Sequence, residues 1–254
     1  TWLGCLGTSC ARPPRSTTCS LMNGIGELYA AWDELRTEIL VSLWIKSAHL
    51  MDHRVWCLSM ELPRDLSSTF TTKAALGLGV HPRQLYAWRD GGDVVELSRG
   101  VFRRGDAPLA TYPDLLAVGT RAPASIVCCV SAAVVHELTD ELPRAVQIAV
   151  PVNSYPPRID FPPTQVLRFA RGTFELGLSR VEAAPGEWVR VYDPARTVVD
   201  LMRLRHRFGE PLAHGALTRA LAAGVARPAD LLRYAEALDV LGPMRLALDV
   251  AVAR

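Results

Sequence analysis

Arg83, Gln84, Tyr86 and Arg89 lie within one short stretch of this chain, and Arg99, Arg103 and Arg104 follow soon after. Side chains of these types at this spacing can do one particular kind of chemistry. An arginine guanidinium donates two parallel hydrogen bonds to the O6 and N7 of guanine, and a glutamine amide matches the N6 and N7 edge of adenine. Arginines on a neighbouring hairpin can grip phosphate oxygens or enter a minor groove. The same residue types also occur as solvated charges on protein-binding modules. The segment from Met60 to Ala107 holds seven Lys or Arg against six Asp or Glu, so its excess of positive charge is small.

The elements that must position these groups read as two short helices, a tight turn between them and a hairpin. The first helix is predicted from about Thr71 to Leu78, with Thr71 or Thr72 as its N-cap and Gly79 ending it. Pro82 suits the first turn of the second helix, where its missing N–H costs nothing. That helix turns Arg83, Gln84, Tyr86 and Arg89 outward, holds Leu85 and Trp88 inward, and stops at Gly91-Gly92. Asp93–Leu97 then reads as a strand with Val95 and Leu97 on one face, Ser98–Gly100 as a turn, and Val101–Arg104 as the returning strand. This is the layout of a winged helix-turn-helix.

The whole chain has 254 residues, 49% of them apolar, which is enough for a sizeable core and for two domains. A net charge of +2 implies no partner by itself, so any nucleic-acid footprint must be a local patch. No run of about twenty apolar residues is present, and no membrane span is expected. Residues 1–59 differ from the rest: they hold four of the six tryptophans and four of the six cysteines (Cys5, Cys10, Cys19 and Cys57). Met60 opens a stretch that looks like a conventional start. Residues 1–59 therefore read either as an over-extended reading frame or as an N-terminal extension with a helix at about 26–48, where Leu28, Trp32, Leu35, Ile39 and Leu43 follow helical spacing. Residues 60–107 form the two-helix and hairpin unit, and 108–254 a second domain.

In that second domain a helix is predicted at Tyr112–Thr120, a buried strand at Ser125–Val130 and a helix at Ser131–Leu138. Strands follow at Ala145–Val150, Val166–Phe169 and Trp188–Tyr192. Helices are then expected at Pro194–Phe208, Leu212–Ala222, Pro228–Leu238 and Pro243–Val252. The order gives an α+β class: a small winged domain, then a mixed α/β domain ending in a helical C-terminal region.

Other chemistry is weakly supported. Cys128 and Cys129 could pair with His136 as a nucleophile and base, but an apolar run argues for structural burial. His206 and His214 flank a helix end without an acidic partner at metal-binding spacing. Asp193 can cap the helix that Pro194 opens, and Arg196 and Asp200, four residues apart, can pair on one face. A metal-dependent nuclease using Asp200 or Glu182 would need clustered acids, and the acids here are scattered. Glycine-rich phosphate loops are absent from the sequence. No catalytic residue, metal or cofactor is expected, and the chain is not read as an enzyme.

The run from Phe70 through Leu85, followed by Gly91-Gly92-Asp93-Val94-Val95-Glu96-Leu97-Ser98-Arg99-Gly100-Val101-Phe102-Arg103, resembles the N-terminal domain of AbiEi-type antitoxins. The segment Tyr192-Asp193-Pro194-Ala195-Arg196-Thr197-Val198-Val199-Asp200-Leu201 resembles the one that opens the C-terminal helices of that family. The resemblance covers roughly Met60 to Arg254. It implies a cytoplasmic DNA-binding antitoxin of a type IV toxin–antitoxin system. Such a protein represses its own operon as a transcriptional regulator and counteracts, directly or functionally, a nucleotidyltransferase-like toxin. It also implies DNA contact by Thr72, His81, Arg83, Gln84, Tyr86 and Arg89 of the turn and helix, and by Arg99, Arg103 and Arg104 of the wing. The family has a full first helix before the Thr-Thr stretch, which residues after Met60 have little length to supply; without it Leu76, Leu85 and Trp88 would be exposed unless the second domain covers them. The alternatives are a stand-alone winged-helix regulator and a nuclease targeted by the winged domain.

Overall fold

The computed structural model describes residues 61–252, so the expected helix at 26–48 lies outside the described residues. From Leu62 onward the chain belongs to one unit, and its elements make an α+β protein with two sheets.

The first sheet is built around the two short helices. Strand β1 (Thr69–Thr71) runs into α1 (Thr72–Gly77), where Thr71 Oγ1 accepts from the Ala74 N–H at 3.2 Å. Gly79, at φ 83°, turns the chain in a conformation that favours glycine. Helix α2 (Pro82–Gly91) starts with His81 as its cap, Nδ1 accepting from the Arg83 N–H at 3.2 Å, and ends on left-handed Gly92. Strands β2 (Val94–Ser98) and β3 (Val101–Arg104) form the hairpin, and β3 lies between β1 and β2, antiparallel to both. Leu85 and Trp88 of α2 pack with Leu66, Phe70, Ala75 and Phe102 in a small core. Leu76 is the one residue of the expected trio left exposed. In β2 the residue facing this core is Val94. Val95 is exposed, and Leu97 joins a different cluster, so the face they share looks away from the two helices.

The second sheet has five strands in the order β6-β5-β4-β8-β7: β4 (Ile126–Val127), β5 (Val146–Pro151), β6 (Thr164–Phe169), β7 (Leu178–Ala184) and β8 (Glu187–Tyr192). The β5–β6 and β4–β8 pairs are parallel and the others antiparallel. Helix α3 (Pro113–Arg121) covers one face, burying Leu115, Leu116 and Val118 against Val146, Val189 and Val191. The other face carries α4 (Cys129–Val135), α5 (Pro194–Arg203), α6 (Arg205–Phe208), α7 (Glu210–Ala222), α8 (Pro228–Ala237) and α9 (Leu241–Val252).

Three expectations need correction. The strand at Ser125–Val130 is only Ile126–Val127. Cys128 precedes α4, and Cys129 begins it at φ 49°, so the pair sits at a strand-to-helix turn with both thiols buried. The helix expected over Pro194–Phe208 is interrupted at Leu204. Strands β1 and β7 fall where no strand was expected.

Arg196 and Asp200 lie inside the larger core, with half-buried Asp193 at its edge. Asp193 Oδ1 accepts from the Arg196 N–H at 2.7 Å and caps α5. Arg196 and Asp200 pair at 2.9 Å, fully buried rather than on a solvated face. The Arg196 guanidinium also donates to the carbonyls of Thr173 and Leu176 and stacks over the Tyr192 ring at 4.5 Å. Arg203 approaches the other Asp200 oxygen at 2.8 Å, an ion pair whose N–H is not aligned as a hydrogen bond. Burial lifts the Asp200 pKa, while Arg196 and then Arg203 pull it down. Gly177 makes this approach possible: at φ 72°, a Cβ there would lie 2.6 Å from Arg196 Cβ.

Removing one member of such a pair strands the other charge in the core. Asp200→Ala is therefore expected to cost about 3–5 kcal/mol, and Asp200→Leu with Arg196→Met much less. Urea titration of each variant checks this, and a loss below about 1 kcal/mol for Asp200→Ala would sink it. A second prediction concerns His136, whose Nε2 donates to the Tyr192 carbonyl at 2.6 Å. Burial lowers its pKa below the ordinary 6.5, outweighing the carbonyl and Asp193. The unfolded chain then binds the proton more readily, so this residue's contribution is full above about pH 6.5 and is lost as pH falls toward its folded pKa. His136→Gln should flatten that part of the stability profile; an unchanged slope would refute the assignment.

Candidate nucleic-acid interface

Helix α2 presents its outer face because Leu85 and Trp88 anchor the opposite one. Arg83 and Tyr86 are exposed there, and Gln84 is half-buried. The Arg83 guanidinium has no partner among the described residues. His81 stands at the start of the helix, exposed, with Nδ1 occupied as the cap. Tyr86 packs edge-on to Phe102, and the Arg89 guanidinium lies over its ring at 4.9 Å.

Arg89 is less available than its place on the helix implied. It pairs with Asp90 at 2.9 Å and with Glu96 of β2 at 3.2 Å, contacts that raise its pKa in that order. Thr72 is half-buried: its N–H donates to the Gly100 carbonyl at 2.9 Å, and its Oγ1 lies 3.4 Å from the same oxygen. It clips α1 to the hairpin turn. Arg99 occupies that turn, exposed and unpartnered among the described residues. Arg104 is half-buried and forked onto Asp106 with both contacts at 3.0 Å, and also donates to the Pro63 carbonyl.

Arg103 is the clear correction. A wing arginine was expected to face a nucleic acid, and this one is only 6% exposed. It donates to Thr69 Oγ1 at 2.7 Å, to the Pro108 carbonyl at 2.6 Å and to the Glu187 carboxylate of β8. β3 is the central strand of its sheet, and α3 packs against the sheet, so neither face of this strand is free. A second tie lies at the turn, where Ser98 Oγ donates to the Phe161 carbonyl.

The structure thus brings Arg83, Gln84, Tyr86 and the His81 cap together on one helix, with Arg99 on the hairpin. It commits Thr72 and Arg103 to internal contacts and neutralises Arg89 and Arg104 with carboxylates. Lys73, exposed on α1 and unpartnered among the described residues, was passed over in the sequence, although it is one of only two lysines. The acids considered for a metal site are not gathered either: Asp200 is enclosed by arginines, whereas Glu182 lies on exposed β7 and accepts from the Gly186 N–H.

No family model matches this chain, and no curated protein matches it in sequence. Among solved structures, the crystal structure of RV2827C protein from Mycobacterium tuberculosis is similar, with a TM-score of 0.53 at 15% identity. The match covers 74% of this chain and 73% of that one. The likeness is one of fold.

These placements separate binding residues from structural ones. Arg103→Ala should lower the melting temperature by several degrees, because it leaves Glu187, the Pro108 carbonyl and the buried Thr69 hydroxyl without their donor. Arg83→Ala and Arg99→Ala should leave it within about 1 °C, as exposed substitutions usually do. Thermal melts of the three variants decide it, and equal melting points would return Arg103 to the surface set.

Proposed function

We propose that residues 60–107 form a winged helix-turn-helix that seats α2 in the major groove of double-stranded DNA. On this reading the protein is a cytoplasmic, DNA-binding antitoxin of the type IV class that represses its own promoter and counteracts a nucleotidyltransferase-like toxin. The carrying observation is the outer face of α2, where Arg83, suited to reading a base edge, stands beside exposed Tyr86 on a helix anchored from behind, with half-buried Gln84 on its flank. The order of two helices and then a hairpin, with Arg99 on its turn, supports the same reading. So does the resemblance of Phe70–Leu85 and Tyr192–Leu201 to AbiEi-type antitoxins. The domain of residues 108–254 then carries the counter-toxin role, and no catalytic role is assigned.

No helix among the described residues is long and apolar enough to cross a membrane, which is compatible with a regulator acting at a promoter. A stand-alone regulator shares the DNA-binding part of this proposal, and an adjacent nucleotidyltransferase reading frame separates the two.

Gel shifts on the chain's own promoter test the reading. Arg83→Ala should weaken operator binding by about 1–3 kcal/mol and relax the sequence preference at the base it contacts. Arg99→Ala should weaken all sequences alike. With Lys73 and Arg99 among the exposed, unpaired cations of this unit and placed for phosphate contact, log K should fall with log salt at a slope of roughly −2 per bound copy. Salt-independent binding, or none, would remove the proposal.

A further inference from the structure

The backbone of the hairpin turn is pinned on both sides of Arg99. On one side the Ser98 hydroxyl donates to the Phe161 carbonyl. On the other, Gly100 sits at φ 75°, and its carbonyl accepts from the Thr72 N–H at the start of α1 at 2.9 Å. The Gly100 N–H in turn donates to Glu96 Oε1 at 3.2 Å. Glu96 stands on β2 opposite Phe102, and its Oε2 accepts from Arg89 Nη1 of α2 at 3.2 Å. One carboxylate therefore spans from the outer helix to the turn that displays Arg99.

That carboxylate opposes attraction to a polyanion. Together with Asp90, which accepts from Arg89 Nε at 3.1 Å and Nη2 at 2.9 Å, it neutralises a cation of α2. Fold stability is a poor reason to keep it, since ion pairs this open to water contribute little; Arg89 is 37% exposed and Glu96 28%. The two acids differ in one respect. Among the described residues the Asp90 carboxylate bonds to Arg89 alone, whereas Glu96 reaches both α2 and the turn.

On the DNA-binding reading, we propose that Glu96 is a positioning residue for sequence preference, fixing Arg99 at one distance from the base-reading side of α2. Arg83 lies on the same helix as Arg89, so the tie to Arg89 is also a tie to Arg83. Base contacts specify and phosphate contacts set register, and groove geometry varies with sequence. A protein that holds Arg83 and Arg99 at one spacing gains most on the duplex whose groove matches it. Repulsion from Glu96 weakens binding to every duplex alike, and the fixed spacing compensates only on the matching one.

Fluorescence anisotropy of the full chain with its own promoter duplex, and with a random duplex of equal length, tests this. Glu96→Ala and Asp90→Ala each remove one negative charge beside Arg89, so charge alone predicts one result for both: tighter binding to both duplexes. Positioning predicts that they part. Asp90→Ala should keep the promoter-to-random affinity ratio of wild type, and Glu96→Ala should lower it about tenfold while holding random DNA at least as tightly. Glu96→Gln also lacks the charge but keeps an acceptor for the Gly100 N–H, so its ratio should lie closer to wild type. Melting temperatures within about 2 °C of wild type exclude unfolding as the cause. If Glu96→Ala melts lower than that, Arg89→Met, which cuts the same tie from the helix side, replaces it and should show the same fall in ratio. Equal ratios in the variants of Glu96 and Asp90 overturn the positioning role and leave the DNA reading standing. A glutamine variant no better than alanine overturns it too. If wild type does not prefer its promoter, the DNA reading falls and this assignment falls with it.

Discussion

A single arginine inside the larger core organises much of what surrounds it. The Arg196 guanidinium takes its counter-charge from Asp200 one turn along α5 and donates to two carbonyls in the chain between β6 and β7. Its planar face stacks on Tyr192 at the end of β8. The helical layer and the sheet are therefore tied through one cation, and every element touching it has a constrained place. Asp193 caps the helix and also accepts from the Tyr234 hydroxyl of α8 at 2.8 Å. Gly177 has no alternative, since any side chain would occupy the space of the arginine stem. Buried ion pairs need not stabilise relative to well-packed apolar groups. Their consequence here is geometric: few arrangements of α5, α8 and the β6–β7 connection make these hydrogen bonds at once.

A comparable constraint joins the two sheets. Arg103 links β3 to β8 and to the Pro108 carbonyl, Ser98 links the hairpin turn to Phe161, and Leu97 of β2 packs in the cluster beneath α3. Helix α3 is thus a shared wall between the small sheet and the large one. Under the proposed function, α2 is consequently held on the α/β body rather than hung from a flexible linker.

Much of this was legible in the sequence wherever local chemistry dictates local geometry. Gly79, Pro82 and Gly92 are positions where backbone conformation leaves little choice, and they bounded α1 and α2 correctly. The Asp193 cap and the four-residue spacing of Arg196 and Asp200 were equally readable. Their burial was not, because i,i+4 spacing fixes which side chains meet and says nothing about what covers them. Strand β7 was missed because its alternation, Arg180 to Ala183, is only four residues long, with Leu178 and Ser179 out of phase before it and Ala183-Ala184 blurring its end. β1 and β4 are too short for any period to register. Cys128 and Cys129 read as strand because apolar residues continue past β4 into α4, and composition alone does not separate the two.

Arg103 illustrates a more general difficulty. In a hairpin whose second face meets solvent, an arginine next to Arg104 belongs naturally to the surface. Here the strand is central in its sheet and backed by α3, so both of its faces are interior. The guanidinium is retained because three acceptors, one on its own sheet, one on the connection and one on β8, converge on it. A residue type chosen for phosphate by its neighbours in sequence is thereby assigned to joining the two sheets by its neighbours in space. Under the proposed function, α2 and its hairpin are left with fewer free cations than the sequence advertises. With electrostatic attraction so divided, sequence preference would have to come from the base-reading side chains of α2 more than from a broad basic surface.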